Sequence, residues 1–293
     1  MCKNRARIFG SVKPAKTSRF LRRDDLTMDF YGLIGEKLSH SLSPVIHKKI
    51  FELTGIEGAY KLFEIPQDKI GGYADALRLL QIRGVNVTIP YKQDVMEALD
   101  EISPEAQKIG AVNTIFNDSG FLRGYNTDYF GFRTMLLKNQ IDVAGKTAAV
   151  LGTGGSAQAV FACLQDLKAK KVYAVTRDKR TYTQRHPGVE LLDYTELEQV
   201  GGYLLINTTP VGMYPKTGLP PVPESVVSKF DCLADLIYNP KETEFLKLGR
   251  SLEKHCCGGL HMLVWQAVKA QEIWQGRSFG EEIFTEVYNS VNL

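Results

Sequence analysis

The segment that most constrains the fold spans residues 147–167, where an apolar run meets a glycine-rich turn and then a helical pattern. The apolar run over 147–151 is typical of a buried strand, and apolar residues recur at helical spacing up to Leu167. Between them the chain reads Gly152-Thr153-Gly154-Gly155-Ser156-Ala157. In such a turn the first glycine allows a tight bend, the second admits a pyrophosphate, and the helix N-terminus offers free N–H groups to phosphates. Because strand, turn and helix occur in this order, the segment predicts a dinucleotide site rather than an incidental glycine turn.

The end of the next predicted strand, Val172–Thr176, bears on which dinucleotide is bound. Enzymes that use NAD usually place an acidic residue there to hold the ribose 2′-hydroxyl. Here the next residue is Arg177, whose guanidinium suits a bidentate bond to a 2′-phosphate, and Lys179 or Arg180 could add positive charge. Asp178 opposes this reading, because its carboxylate would repel a phosphate. With Asp178 turned to solvent the pattern favours NADP, and NAD stays the alternative.

Strand and helix patterns alternate from Met28 onward, which predicts an α/β protein. We expect an N-terminal α/β substrate-binding domain and a Rossmann-type doubly wound domain that binds NADP. The expected boundaries are residues 28–127 with 260–293 for the first domain and residues 128–259 for the second. A helical pattern over Leu260–Trp274 is expected to form the last helix and to return to the substrate-binding domain.

The expected elements of the first domain are strands at 30–34, 60–65 and 85–89, helices at 44–54 and 72–81, and a hairpin around 117–120. A helix at 128–139 follows and leads into the second domain. There we expect strands at 147–151, 172–176, 203–207 and 232–238.

The net charge of +3 is unevenly distributed. Residues 1–27 contain eight Lys and Arg against two Asp, a net of +6, so the remainder of the chain carries −3. This leader lacks the apolar centre of a secretory signal. It is expected to be a disordered tail or an untranslated extension, with a transit-like or nucleic-acid-binding arm as the alternative. RNA binding through it would be salt-sensitive and lost on deleting residues 1–27.

Composition excludes several other classes of protein. No apolar run approaches the length of about 20 residues that crosses a bilayer, and the mildly acidic body does not favour nucleic acid. The five cysteines form no zinc-ligand pattern and indicate a reducing cytoplasm. We therefore expect a cytoplasmic monomer or homodimer with a small-molecule substrate, no bound metal, and no membrane or nucleic-acid partner.

Two serines precede the first predicted helix. Pro44 suits the first helical position and Ser43 the cap before it, which would account for Ser43 structurally. Alternatively, the hydroxyls of Ser41 and Ser43 could seat a carboxylate beside the helix N-terminus.

A second candidate segment is Asn86-Val87-Thr88-Ile89-Pro90-Tyr91-Lys92. Strand alternation places Asn86 and Thr88 on one face, and Pro90 is expected to open a helix with Lys92 in its first turn. Lys92 could be an ordinary surface residue. A helix N-terminus repels cations, however, so this position would favour the neutral amine that a lysine acid–base group requires.

Further polar residues are candidates for reading a pattern of substrate hydroxyls. Asp128, at the start of a helix, could be a cap or a partner that orients Lys92. Asn113, Tyr238 and Gln266 have suitable side chains, although each alone could be a satisfied structural group.

Taken together, these segments resemble the shikimate dehydrogenase family over residues 28–293. The shared motifs are Ser-His-Ser-Leu-Ser-Pro at 39–44, Asn-Val-Thr-Ile-Pro-Tyr-Lys at 86–92, Ala-Val-Asn-Thr at 111–114, Tyr-Asn-Thr-Asp at 125–128, the glycine turn, Asn-Thr-Thr-Pro-Val-Gly-Met at 207–213, Asp-Leu-Ile-Tyr-Asn-Pro at 235–240 and Met-Leu-Val-Trp-Gln-Ala at 262–267.

The resemblance implies reversible NADPH-dependent reduction of 3-dehydroshikimate to shikimate, in a cleft between two domains. It implies that Ser41, Ser43 and Tyr238 hold the substrate carboxylate, and that Lys92 passes the proton with Asp128 as its partner. The ring hydroxyls would be met by Thr88, Lys92, Asn113, Asp128 and Gln266. Leu236 and Gly259 would lie against the nicotinamide.

The chain departs from the family pattern after the second cofactor strand, where relatives usually carry Asn-Arg-Thr and this chain has Thr176-Arg177-Asp178. The remaining alternatives are a quinate/shikimate dehydrogenase that prefers NAD and a catalytically silent paralogue that senses a metabolite. The two serines at 41 and 43 favour shikimate over quinate, because relatives that prefer quinate tend to carry threonine at the second position. A silent paralogue is expected to have lost Lys92 or Asp128, and both are present.

Overall fold

The computed structural model describes residues 28–181 and 186–291. The basic leader therefore lies outside the described residues. Two six-stranded sheets, each covered by helices, account for the described parts of the chain. This confirms the predicted α/β class.

The first sheet has the order β2-β1-β3-β5-β6-β4, in which β1 is parallel to β2 and β3, and β5 is antiparallel to β3 and β6. Its strands are β1 (Asp29–Gly35), β2 (Gly58–Glu64), β3 (Gly84–Val87), β4 (Glu101–Ile102), β5 (Thr114–Asp118) and β6 (Phe121–Tyr125). Its helices are α1 (Ser43–Thr54), α2 (Tyr73–Leu79) and α3 (Pro104–Ile109), followed by α4 (Thr127–Lys138), which leads to the second sheet.

The second sheet is entirely parallel, with the order β12-β11-β10-β7-β8-β9. This is the doubly wound arrangement, in which ligands bind beyond the carboxyl ends of the strands where the strand order reverses. The strands are β7 (Thr147–Leu151), β8 (Lys171–Val175), β9 (Val189–Leu192), β10 (Gly202–Asn207), β11 (Phe230–Asp235) and β12 (His255–Cys257). The intervening helices are α5 (Gly155–Asp166), α6 (Tyr194–Leu197), α7 (Glu224–Val227) and α8 (Glu244–Ser251).

Helix α9 (Leu260–Gln275) returns from the second sheet to the first, as the sequence predicts. Near its C-terminal end, Trp274 stacks on Tyr31 of β1 and donates from Nε1 to the carbonyl of Ile115 on β5, at 2.9 Å. Gly84 of β3 lies under this indole, where an added Cβ would come within 2.3 Å of Nε1. The close contact between the indole and β3 therefore requires glycine.

One expectation about the helices and two alternatives for helix caps were wrong. Helix α9 is not the last helix, because α10 (Glu281–Ser290) follows it and packs on α9 and α1 through Val287 and Phe284. Ser43 is not a cap, since α1 already includes it and Leu42 occupies the cap position without a side-chain hydrogen bond. Asn126, rather than Asp128, caps α4 by accepting a hydrogen bond from the backbone N–H of Tyr129.

The strand before Lys92 also ends earlier than predicted. Strand β3 stops at Val87, and the Ile89–Pro90 peptide is cis. Pro90 opens no α-helix, since a turn over residues 89–93 leads into a short 3₁₀ helix over Asp94–Ala98. The expected influence of a helix N-terminus on the Lys92 ammonium consequently has no structural basis.

Candidate active site

A cleft with an empty volume of about 780 Å³, open mouth included, lies between the carboxyl end of β3 and the N-terminal ends of α4 and α9. The predicted substrate and catalytic residues that line it are Ser41, Ser43, Thr88, Lys92, Asn113, Asp128, Tyr238 and Gln266. Ser156, Leu236 and Gly259 of the predicted cofactor set also line it. The structure thus brings residues from 41 to 266 to one place.

At the centre of the cleft, Lys92 Nζ lies 2.6 Å from Asp128 Oδ2. The side chains are only 12% and 13% exposed, so the pair is shielded on most sides without being sealed from a ligand. The turn after β3 positions Lys92. The backbone carbonyl of Lys92 accepts a hydrogen bond from the backbone N–H of Val112 at 2.7 Å. Such a pair can hold an amine in a fixed position beside a substrate hydroxyl and exchange a proton with it.

The floor of the cleft is a connected set of hydrogen bonds. Asn113 Oδ1 accepts from the backbone N–H of Thr127 at 2.7 Å and from the hydroxyl of Thr114 at 3.0 Å. With this oxygen satisfied inside the protein, the Asn113 amide group is held in one orientation. Gln266 is fixed similarly, since its Nε2 donates to the carbonyl of Leu263 at 2.8 Å. These contacts pre-orient polar groups that a ligand would meet.

Asn86 is a cleft residue that was not among the predicted site residues. Its Oδ1 accepts from the Tyr60 hydroxyl at 2.8 Å, and its Nδ2 donates to Thr114 Oγ1 at 3.1 Å. The strand alternation that pairs Asn86 with Thr88 was the available signal. Met262 and Leu263 add an apolar wall from α9 that the polar motifs did not indicate.

The two serines adjoin each other at the start of α1. The backbone N–H of Ser43 donates to Ser41 Oγ at 3.2 Å, and Ser43 is buried. Tyr238, from the loop after β11, faces the same cleft, and burial raises the pKa of its phenol. Since its proton is retained, Tyr238 can act with the serines as a neutral hydrogen-bond donor.

The glycine turn adjoins the same cleft. Gly152 adopts φ of +101°, and an added Cβ would lie 2.8 Å from Thr208 Oγ1, so this position needs glycine for both conformation and space. An added Cβ at Gly154 would meet no atom within 4 Å, which leaves the N-terminus of α5 open to a phosphate. An added Cβ at Gly155 would lie 3.9 Å from Lys92 Cδ. The turn therefore joins the two halves of the site.

A second groove continues from the cleft along the carboxyl ends of β10 and β11. It shares Ser156, Leu236 and Tyr238 with the cleft. Gly259, which lines the cleft, packs tightly against Leu236, since an added Cβ would lie 2.2 Å from the Leu236 carbonyl oxygen. The cleft, the groove and the glycine turn adjoin one another, and together they would hold a dinucleotide beside Lys92.

Thr176 and Arg177 lie outside the cleft, at the carboxyl end of β8. Arg177 is exposed, and within residues 28–181 and 186–291 no carboxylate lies at ion-pair distance from it. The other two cations of this turn have partners: Lys179 pairs with Glu196, and Arg180 with Asp178. Thr153 lies in the glycine turn, where its backbone carbonyl accepts a hydrogen bond from Gln158 Nε2 at 2.9 Å.

Asp235 is a fully buried carboxylate beneath the groove. It accepts from Thr243 Oγ1 at 2.6 Å, from the backbone N–H of Ile237 at 3.0 Å and from Asn207 Nδ2 at 3.1 Å. It therefore ties together the loops that follow β10 and β11. Burial raises its pKa from 3.8 to about 6, against the opposing effect of these hydrogen bonds.

The raised pKa of Asp235 predicts a pH-dependent contribution to stability. Because the folded protein binds this proton more tightly than the unfolded chain, the contribution is greatest below the unfolded pKa of 3.8 and is lost as pH rises through about 6. The change corresponds to about 3 kcal/mol. We expect the free energy of unfolding of the wild type, minus that of Asp235→Asn, to fall by about this amount between pH 4 and 7. Urea titrations across this range measure it.

Asp231→Asn is the matched control, because Asp231 is an exposed aspartate on the same strand. If the difference in unfolding free energy between the wild type and Asp235→Asn stays constant with pH, the raised pKa of Asp235 is contradicted.

No group of His, Cys, Asp and Glu side chains suited to a metal ion occurs within residues 28–181 and 186–291. Across the same residues, no helix is both long and apolar enough to span a membrane.

With this geometry established, comparison with known proteins identifies the family. A family model described as the shikimate dehydrogenase substrate binding domain matches residues 33–115. Shikimate dehydrogenase (NADP(+)) of Clostridium beijerinckii is 52% identical over 263 residues, which cover 89% of this chain and 97% of that protein. The chain belongs to the shikimate dehydrogenase family.

Solved structures agree in fold. The crystal structure of shikimate dehydrogenase 1 from Peptoclostridium difficile has a TM-score of 0.85 and 51% identity, covering 89% of this chain and 97% of that one. Shikimate 5-dehydrogenase from Thermus thermophilus, solved in complex with NADP(H) and shikimate, has a TM-score of 0.80 and 32% identity, covering 89% and 99%. The two sheets of this chain are therefore those of a shikimate dehydrogenase.

Proposed function

We propose that this chain is an NADP-dependent shikimate dehydrogenase that reversibly reduces 3-dehydroshikimate to shikimate, a step toward chorismate and the aromatic amino acids. The observation that carries the proposal is the Lys92–Asp128 pair, 2.6 Å apart in a cleft that adjoins the glycine turn. Names of relatives at 52% and 46% identity agree with this activity.

In the proposed reaction, Ser41, Ser43 and Tyr238 donate hydrogen bonds to the substrate carboxylate at one end of the cleft. The ring hydroxyls meet Thr88, Asn113, Asp128 and Gln266, whose side chains line the cleft beside Lys92. Because several of these groups are already oriented by internal hydrogen bonds, little ordering is needed when substrate binds.

Reduction of the ketone adds a hydride to the carbonyl carbon and a proton to its oxygen. NADPH supplies the hydride when bound. Lys92 Nζ delivers the proton to the developing alkoxide, and in the reverse direction it removes the proton from the alcohol. The Asp128 carboxylate holds the amine in place and compensates its charge in the partly buried cleft.

The proposed cofactor residues are assigned by where they lie relative to the cleft and the glycine turn. The glycine turn and the open N-terminus of α5, over Gly152–Ser156, would hold the pyrophosphate. Thr176 and Arg177 would meet the adenosine end, and Leu236 and Gly259 the nicotinamide end. The proposed domains are 28–127 with 260–293 for substrate and 128–259 for NADP.

A reducing, cytoplasmic location is also proposed. It is supported by the four described cysteines, Cys163, Cys232, Cys256 and Cys257, which are all free thiols. A monomer or homodimer remains the predicted assembly.

A steady-state assay of shikimate oxidation tests the proposed function, with NADP⁺ or NAD⁺ as cofactor and quinate as the matched alternative substrate. We expect the highest kcat/KM with shikimate and NADP⁺. A higher value with NAD⁺ and quinate would establish the NAD-preferring alternative. Binding of shikimate without any oxidation would indicate a sensing paralogue.

A further inference from the structure

Asp178 follows Arg177 at the carboxyl end of β8, close to the guanidinium proposed to bind the 2′-phosphate of NADP. A free carboxylate beside that phosphate would repel it and would suit the ribose 2′-hydroxyl of NAD instead. A chain that uses NADP therefore needs a way to offset the charge of Asp178.

The structure contains a group that does so. Arg180 Nε lies 3.0 Å from Asp178 Oδ1, and the terminal Nη2 of Arg180 lies 3.0 Å from Oδ2, so the guanidinium meets both carboxylate oxygens. The backbone N–H of Arg180 also donates to Oδ1, at 3.0 Å. These contacts fold the carboxylate over the 3₁₀ turn Lys179–Thr181, and the hydrogen bonds from Arg180 lower the pKa of Asp178.

The charges around this turn are distributed unequally. Lys179 forms an ion pair with Glu196 of α6, and Arg180 forms one with Asp178. Arg177 has no carboxylate within ion-pair distance in the described parts of the chain. The pairing thus leaves one exposed guanidinium available to an anion.

Building on the proposed function, we propose that Arg180 is a positioning residue for cofactor selectivity, which acts through Asp178. By neutralising the Asp178 carboxylate and holding it against the turn, Arg180 makes this end of β8 accept the 2′-phosphate of NADP. The phosphate itself binds Arg177. The pair is largely exposed and contributes little to stability, so variants at both positions should fold.

Calorimetric titration of the full chain with NADP⁺ and NAD⁺ at low ionic strength tests this inference. We expect Arg180→Ala to weaken NADP⁺ binding by about tenfold, while NAD⁺ binding is unchanged or tighter. Asp178→Asn removes the charge but keeps an oxygen that can accept from the backbone N–H of Arg180. In the double variant Asp178→Asn/Arg180→Ala, we expect NADP⁺ affinity to return to that of Asp178→Asn alone.

Lys179→Ala is the matched control, because it removes a positive charge from the same turn whose partner is Glu196 rather than Asp178. It should change the ratio of the two affinities much less than Arg180→Ala does. If Arg180→Ala keeps the wild-type ratio, the inference is wrong. A double variant as weak as Arg180→Ala would show that the guanidinium contacts the phosphate itself, which also overturns it. A wild-type chain that does not prefer NADP⁺ would instead reject the cofactor assignment of the proposed function.

Discussion

We expect Lys92→Ala to lower the turnover of shikimate oxidation by about 10²–10⁴-fold, the range for removal of a positioned acid–base group. The KM for shikimate should change far less, because Asn113, Gln266 and the two serines still line the cleft. Steady-state kinetics with saturating NADP⁺ separates the two effects. Near-normal turnover would reject Lys92 as the proton carrier.

Lys108→Ala is the matched control for this variant. Lys108 also forms an ion pair with an aspartate, Asp166, but both side chains are 43% exposed, and neither lines the cleft. Its removal should leave turnover close to wild type. Because Lys92→Ala leaves the Asp128 carboxylate partly buried without its amine, thermal melting of each variant shows whether a loss of activity reflects unfolding.

The largest expected effect on stability comes from Trp274→Ala. The indole is 1% exposed, its ring centroid lies 5.1 Å from that of Tyr31, and its Nε1 donates to Ile115 on the central part of the first sheet. Deleting it leaves a cavity against Gly84 and removes the hydrogen bond from Nε1 to the Ile115 carbonyl. We expect the free energy of unfolding to fall by about 3–5 kcal/mol. Urea unfolding followed by far-ultraviolet circular dichroism measures this.

Phenylalanine at the two tryptophan positions separates packing from hydrogen bonding. Trp274→Phe keeps an aromatic ring but removes the donor to Ile115, and it should cost about 1–3 kcal/mol. Trp265→Phe is the control, since the buried Trp265 Nε1 has no hydrogen-bond partner within residues 28–181 and 186–291. The Trp265 ring stacks on Phe284 with 4.2 Å between ring centroids, and a phenylalanine can keep this stacking. We therefore expect Trp265→Phe to cost less stability than Trp274→Phe. Equal losses for the two phenylalanine variants would contradict the role of the indole hydrogen bond.

The parts of the protein that sequence determined are those encoded by contiguous residues. Strand β7 was predicted at its exact bounds, and helix α5 begins inside the predicted glycine turn and ends one residue before the predicted end, because apolar period and glycine spacing act over a few positions. Strand β1 and the hairpin of β5 and β6 were predicted for the same reason. The resemblance to one family then named residues from 41 to 266 that line a common cleft.

Tertiary structure decided what depends on distant neighbours. Strands β4, β9 and β12 were not predicted, since their two to four residues form strands only by pairing with β6, β8 and β11. The chain at Lys92 forms a turn instead of the predicted helix, and the backbone N–H of Val112 donates a hydrogen bond to the Lys92 carbonyl. Lys92 and Asp128, 36 positions apart, meet at 2.6 Å only because β3 ends and α4 begins at the same cleft. Likewise, the sequence placed Asp178 beside Arg177, but only the folded turn pairs its carboxylate with Arg180, since charge compensation depends on side-chain direction and not on order along the chain.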